Sequence, residues 1–152
     1  MTTTTAPINE MQTFTITEEI LVRASIEKTF ASLITQLGRQ NETGDGKPLP
    51  MMLETRPGGR WYRDLGGDNG HLWGFVQSIK RPVLLEIWGP LFLSTAATSN
   101  LTYRLSETPD GTLIKFTHTL LGPFPEDHRP RLASGWTALH ARVRKAAEAA
   151  AQ

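Results

Sequence analysis

Residues 112–150 read TLIKFTHTLLGPFPEDHRPRLASGWTALHARVRKAAEAA, and this stretch decides the fold. In residues 112–121 every second side chain belongs to one face, made by Ile114, Phe116, His118 and Leu120. A period of two is typical of a strand with one buried side. Residues 126–150 instead place large apolar side chains three and four apart, at Leu132, Trp136, Leu139 and Val143. This spacing predicts a long amphipathic helix that covers one face of a sheet.

Upstream of this stretch the sequence predicts six more strands, at residues 12–22, 51–55, 60–65, 71–79, 83–88 and 98–106. The short segments between most of them contain Gly, Pro, Asp or Asn, as in Arg56-Pro-Gly-Gly and Pro109-Asp-Gly. These residues adopt the backbone angles that tight turns need. Short connections of this kind favour antiparallel neighbours.

One shorter helix is predicted after the first strand. Ser25 is a suitable N-cap, apolar residues then recur at helical spacing from Ile26 to Leu37, and Gly38 is a plausible stop. Residues 39–50, RQNETGDGKPLP, form a polar loop. The order strand, helix, six strands, helix predicts an α+β fold. Residues 1–10, rich in Thr, predict a flexible tail, and residues 11–152 predict a single domain.

Composition excludes several classes of function. The 16 Lys and Arg residues nearly cancel 15 Asp and Glu residues, so no nucleic-acid partner is predicted. The absence of cysteine excludes disulfides, thiolate metal sites and thiol nucleophiles. The first residues, MTTTTAP, lack the basic start and the apolar run of a secretion signal, so none is predicted, and no stretch of about 20 apolar residues occurs. The prediction is therefore a cytoplasmic protein without a membrane partner.

Several segments together resemble one known family. These are Glu54–Trp61 (ETRPGGRW), a strand carrying Gly74 before a turn with Pro82, the hairpin at 108–112 before LIKFTHTLLG, and Gly135-Trp136 in the last helix. Their order over residues 12–149 resembles the Activator-of-Hsp90-ATPase-like branch of the START-like (SRPBCC) superfamily. The chain departs from that family in having Ala24-Ser25-Ile26 without a proline at the start of the first helix, and in lacking a Trp-containing segment soon after it.

The resemblance implies a helix-grip fold, in which a curved antiparallel sheet of about six to seven strands wraps around the long C-terminal helix. It also implies a ligand cavity between the sheet and that helix. Aromatic side chains, and polar ones that can project inward, are the candidates to line it. These candidates are Trp61, Arg63, Trp73, Trp88, Tyr103, Phe116, His118, Trp136 and His140.

No catalytic motif accompanies these candidates. The four histidines, at 71, 118, 128 and 140, include no pair at the HExxH spacing, so no metal site is predicted. Ser134-Gly135 lacks the strand-turn-helix context of a nucleophile elbow. No cofactor and no catalytic residue are assigned. For His118, a hydrogen-bonded position in the core is favoured over contact with a ligand.

Three functions remain open at this point. The leading one is a binding module that encloses a small hydrophobic or aromatic ligand. The second is an enzyme similar to the polyketide cyclases and dehydratases of the same superfamily, which would require Arg63, Tyr103 or His118 to converge on one enclosed space. The third is a co-chaperone-like protein-interaction domain, and a homodimer is compatible with any of them.

Two structural expectations accompany the leading hypothesis. The cavity should be bordered by at least three strands and by Trp136 or His140 on the last helix, with Phe116, His118 or Tyr103 opposite. Gly135 should let the last helix approach the sheet closely, so that a leucine there would overpack the core.

Overall fold

A computed structural model describes residues 1–3 and 11–152. The prediction of a flexible tail falls mostly on residues 4–10, which lie outside the described residues. The elements are β1 (Met11–Val22), α1 (Ile26–Leu37), β2 (Met52–Leu53), β3 (Arg60–Gly66), β4 (Asn69–Lys80), β5 (Leu84–Gly89), β6 (Thr98–Thr108), β7 (Gly111–Pro123), a 3₁₀ turn (Glu126–His128) and α2 (Arg129–Ala150). All seven predicted strands and both helices are present.

The strands form one antiparallel sheet in the order β1-β7-β6-β5-β4-β3-β2. From β2 to β7 each strand pairs with the next along the chain. The first strand, β1, lies at one edge of the sheet and pairs with β7 over its full length. Alternate side chains of β7, including Ile114, Phe116 and His118, are buried on the inner face. The predicted α+β class with a sheet gripping the last helix is confirmed.

A β-bulge bends the sheet near β3. Trp61 pairs with Gly74 and Tyr62 with Leu72, so Trp73 is an extra residue on β4. A bulge of this kind turns two consecutive residues of one strand toward the same side. Both Trp73 and Gly74 are accordingly buried. The bulge places the Trp73 ring on the inner face, beside Trp61.

The two helices share the inner side of the sheet. The Ser25 side chain caps α1 by accepting a hydrogen bond from the backbone N–H of Lys28 at 3.2 Å. The Ser32 hydroxyl of α1 donates to the carbonyl of Val143 in α2 at 2.7 Å. Along α2, Trp136 and Val143 belong to the buried stripe that the sequence predicts. In the described part of the chain, no helix is long and apolar enough to cross a membrane.

Gly74 should be intolerant of any side chain. A Cβ atom there would lie 2.6 Å from the carbonyl oxygen of Trp88, a backbone atom that cannot move aside alone. We expect Gly74→Ala to lower the free energy of unfolding by about 1–3 kcal/mol, through overpacking.

Urea denaturation measures this change. The matched control is Gly44→Ala, because a Cβ at Gly44 meets no atom within 4 Å among the described residues. Equal stability of the two variants would contradict the close approach of β4 and β5.

Candidate functional site

A cavity of about 480 Å³ lies between α2 and the end of the sheet formed by β3 and β4. The loop between α1 and β2, the loop between β5 and β6, and the segment after β7 close its sides. Its lining combines apolar and aromatic side chains with a few polar ones at the mouth. The main contributors are Glu42, Leu49, Trp61, Trp73, Phe92, Phe124, Arg131, Leu132, Gly135, Trp136, Leu139 and Arg142.

Three tryptophans from different elements form the aromatic part of the wall. Trp61 comes from β3, Trp73 from β4 and Trp136 from α2. The Trp61 and Trp73 rings meet edge to face with centroids 5.0 Å apart, and Phe92 packs against Trp73 in the same way at 5.6 Å. Edge-to-face contacts of this kind fix the orientation of each ring.

Each of these indole N–H groups already donates to a protein acceptor. Trp61 donates to the carbonyl of Leu37 at the end of α1, at 2.8 Å. Trp73 donates to Nδ1 of His71 at 3.2 Å, and Trp136 donates to Nδ1 of His118 at 3.0 Å. An indole has a single donor and no acceptor. The tryptophans therefore offer the cavity apolar ring surface and no free polar group.

His118 holds Trp136 in place from inside the sheet. Since Nδ1 of His118 accepts the indole proton, its Nε2 carries the proton and donates to the Ser99 hydroxyl at 2.8 Å. His118 is 1% exposed. The favoured prediction, a hydrogen-bonded core histidine, agrees with this placement.

A second buried chain of hydrogen bonds joins α2 to the sheet. The Tyr103 hydroxyl lies 2.9 Å from Nε2 of His140, and Nδ1 of His140 lies 2.9 Å from a Glu18 carboxylate oxygen. The other Glu18 oxygen accepts from the hydroxyl of Thr137 at 2.7 Å. Glu18 was not among the residues predicted from the sequence. It alternates in phase with the buried residues Phe14 and Ile20 of β1, which indicates the inner face.

Burial sets the charge state of both histidines. Desolvation lowers the pKa of His118 to about 4. Desolvation also lowers the pKa of His140, against the opposing effect of its hydrogen bond to Glu18. Burial raises the pKa of Tyr103 well above its ordinary value. Both imidazoles are thus neutral near pH 7, in keeping with their hydrogen bonds as one donor and one acceptor each.

The structure divides the nine predicted site residues into three groups. Trp61, Trp73 and Trp136 line the cavity. A second group is fully buried in the core behind Trp136 and does not border the cavity, namely Tyr103, Phe116, His118 and His140. The expectation that one of these lies opposite Trp136 across the cavity is wrong, because they fill the space between α2 and the central strands.

Arg63 and Trp88 do not reach the cavity, and their placement there is wrong. Arg63 is exposed near the β3–β4 turn. Trp88 is 47% exposed on the outer face of the sheet, where it packs against Phe75. Alternation along a strand shows that it has two faces, but it did not reveal for Arg63 or Trp88 which face is the inner one.

The expectation for Gly135 is also wrong. A Cβ built there meets no atom within 4 Å among the described residues, and Gly135 lines the cavity. The glycine therefore leaves the cavity open on the α2 side and does not serve close packing. Arg142, Phe92 and the 39–50 loop were missed as lining, because nothing local distinguishes a loop that folds over a cavity from one that faces solvent.

Acidification should destabilise the protein through His118. The unfolded imidazole binds a proton below its ordinary pKa of 6.5, whereas the folded one does so only near 4, so stability is lost as pH falls through this window. That difference corresponds to about 3 kcal/mol of unfolding free energy.

Urea denaturation at a series of pH values from 7 down to about 4 measures this loss. His118→Gln should reduce the pH dependence, leaving the part that comes from the lowered pKa of buried His140, and His128→Gln, at an exposed position, should keep it in full. A stability that does not change with pH in the unaltered chain would show that His118 is accessible to water.

Comparisons with known proteins show a shared architecture. No protein-family model and no curated protein sequence matches the chain. An uncharacterised protein from Rhizobium leguminosarum is similar in structure, with a TM-score of 0.71 and 18% identity over 93% of this chain and 99% of that one. A protein from Chromobacterium violaceum follows with a TM-score of 0.66 and 12% identity, over 88% and 96% of the two chains.

The di-domain ARO/CYC StfQ, from the steffimycin biosynthetic pathway, is similar as well. Its TM-score is 0.65 at 10% identity, and the match covers 91% of this chain and 52% of StfQ. At such identities the likeness shows the fold alone. The chain has the helix-grip fold that these proteins share, and membership in the Activator-of-Hsp90-ATPase-like family stays a prediction.

Proposed function

We propose that the protein is a binding module that encloses a small, mostly apolar and aromatic ligand in the cavity beside α2. One observation carries the proposal. Trp61, Trp73 and Trp136 line the cavity, while all three of their N–H groups are already bonded to the protein. This part of the wall favours an apolar body over a polar one, because these three side chains offer no free donor to replace the hydrogen bonds that a polar ligand loses on leaving water.

The dimensions of the cavity support the same proposal. Its volume of about 480 Å³ falls within the range of about 300–1,000 Å³ that is typical of small-molecule sites. Gly135 keeps this space open where a side chain would otherwise project from α2. A core built only for stability is filled to close packing, since empty space costs dispersion contacts.

The enzymatic alternative has less support. The cyclase hypothesis requires Arg63, Tyr103 or His118 at the ligand, yet Arg63 is exposed outside the cavity and the other two lie behind Trp136, bonded to core partners. The likeness to StfQ concerns the fold. A cytoplasmic location, a homodimer and the single domain over residues 11–152 stay predictions from the sequence.

Filling the cavity from Gly135 should block binding without harming the fold. We expect Gly135→Phe to weaken binding of the neutral probe N-phenylnaphthylamine at least about tenfold, because its ring occupies the space of the ligand. Gly135→Ala is the matched control, since its methyl group is small and should leave affinity nearly unchanged. Neither variant should be less stable than the parent, because both residues have a higher helix propensity than glycine.

Energy transfer from tryptophan to the probe measures affinity, and thermal unfolding checks the fold. Equal affinities of a folded Gly135→Phe variant and the parent would exclude this cavity as the binding site. Absence of measurable binding to the parent would count against the proposed function itself.

A further inference from the structure

Arg142 is an arginine of α2 that borders the cavity without a hydrogen-bonded partner for its Nε. Its side chain is only 20% exposed. The Nε atom is buried and has no acceptor within hydrogen-bond distance among the described residues. A buried N–H without an acceptor is costly, and more so when it carries charge. The cavity wall therefore contains a cation in need of an anion.

The nearest acidic group satisfies this cation poorly. A carboxylate oxygen of Glu42 lies 3.8 Å from Nε of Arg142, which is too long for a hydrogen bond. Glu42 is itself 36% exposed on the loop between α1 and β2, and partly exposed ion pairs of this kind contribute little to stability. A ligand anion in good geometry can therefore displace the Glu42 carboxylate.

Arg129 provides a useful contrast. Its Nε is also buried and unpartnered among the described residues, but its guanidinium lies over the Phe14 ring, 4.3 Å from the centroid. That contact already engages the cation with a protein group. Arg142 borders the cavity, whereas Arg129 does not.

The charged side chains that line the cavity are mainly positive. Arg131, Gly135 and Arg142 fall on one side of α2 and all line the cavity. The two arginines are about 16 Å apart along the helix axis, given a rise of about 1.5 Å per residue. Glu42 is the carboxylate that faces them in the lining. A flat molecule against the tryptophans would thus meet excess positive charge at the mouth.

We infer that the ligand is an anion, with an apolar aromatic body against Trp61, Trp73 and Trp136 and one oxyanion group, such as a carboxylate, bound by Arg142. This inference rests on the proposed function. The oxyanion accepts from Nε and a terminal nitrogen of the guanidinium, a two-point geometry that matches planar anions. Glu42 occupies the position of that anion in the empty protein and competes with it.

A neighbouring depression of about 520 Å³ is also lined by Glu42 and Arg142. Its lining is polar and aliphatic, including Gln36, Arg39 and Lys145. An anion could reach Arg142 from there without entering the aromatic cavity. The experiment must therefore separate the two approaches.

Two related probes test the inference in the full-length chain. N-phenylnaphthylamine is neutral, and anilinonaphthalenesulfonate adds a sulfonate to the same aromatic framework. We expect the anionic probe to bind the parent at least about tenfold more tightly, as a charge-assisted hydrogen bond allows. Arg142→Gln should abolish this advantage, so that the two probes bind the variant with nearly equal affinities. Arg144→Gln, at an exposed position of α2, is the matched control and should preserve it.

Glu42→Gln provides a test that keeps Arg142 intact. It should raise the ratio of anionic-probe affinity to neutral-probe affinity severalfold by removing the competing carboxylate. Gly135→Phe should weaken both probes if they occupy the aromatic cavity.

The outcomes separate this inference from the proposed function. Binding of the neutral probe with no advantage for the anionic one, or an advantage that survives Arg142→Gln, would overturn the inference and leave the binding module standing. Binding of the anionic probe that Gly135→Phe does not weaken would overturn it too, because the anion would then enter from the neighbouring depression. Failure of the neutral probe to bind the parent would instead count against the proposed function.

Discussion

The hydrogen bond from the Trp136 indole to His118 is the contact on which the site depends. It joins the middle of α2 to the inner face of β7. The other ring nitrogen of His118 donates to the Ser99 hydroxyl on β6. Because an indole can only donate, this contact fixes which nitrogen of His118 bears a proton. The same contact holds the Trp136 ring so that it forms part of the cavity wall.

The second buried chain, from Tyr103 on β6 through His140 on α2 to Glu18, adds β1 to the same arrangement. Buried polar groups destabilise a core unless each finds a partner, and here donors and acceptors match along the chain. An apolar helix face can slide on an apolar sheet at little cost, whereas a paired polar network has one satisfied position. We infer that these hydrogen bonds set the position of α2, and with it the shape of the cavity.

The cavity combines side chains fixed by hydrogen bonds with a loop that carries Glu42. The three tryptophans are held by bonds from their indole N–H groups to Leu37, His71 and His118, so their orientations in the cavity wall are fixed. The loop that carries Glu42 has backbone hydrogen bonds of its own, such as the one from the N–H of Leu49 to the carbonyl of Asn41 at 2.8 Å. Preorganised apolar surface supports affinity, and a small number of polar groups at the mouth decides which ligand is chosen.

Proteins with this fold differ in what surrounds the sheet, and the fold alone does not define a function. The chain resembles StfQ and two bacterial proteins in architecture at 10–18% identity. The lining of the cavity is therefore the informative feature of this chain. It contains three tryptophan rings, the glycine at position 135, and Arg142, whose Nε lacks an acceptor among the described residues.

The sequence by itself determined the elements and their order, because these follow from local physics: period two in β7, three-four spacing in α2, a serine cap before α1 and turn residues between strands. The sequence offered all four tryptophans as cavity candidates without distinguishing among them. Only the tertiary structure decided the faces, since a bulge turned Trp73 inward while Trp88 stayed outside. The pairing of Glu42 with Arg142 likewise depends on where a loop settles against a distant helix. Alternation along a strand separates two faces, but the neighbouring strands and helices decide which face is buried. In the same way, a loop lines a cavity only where a helix lies opposite it.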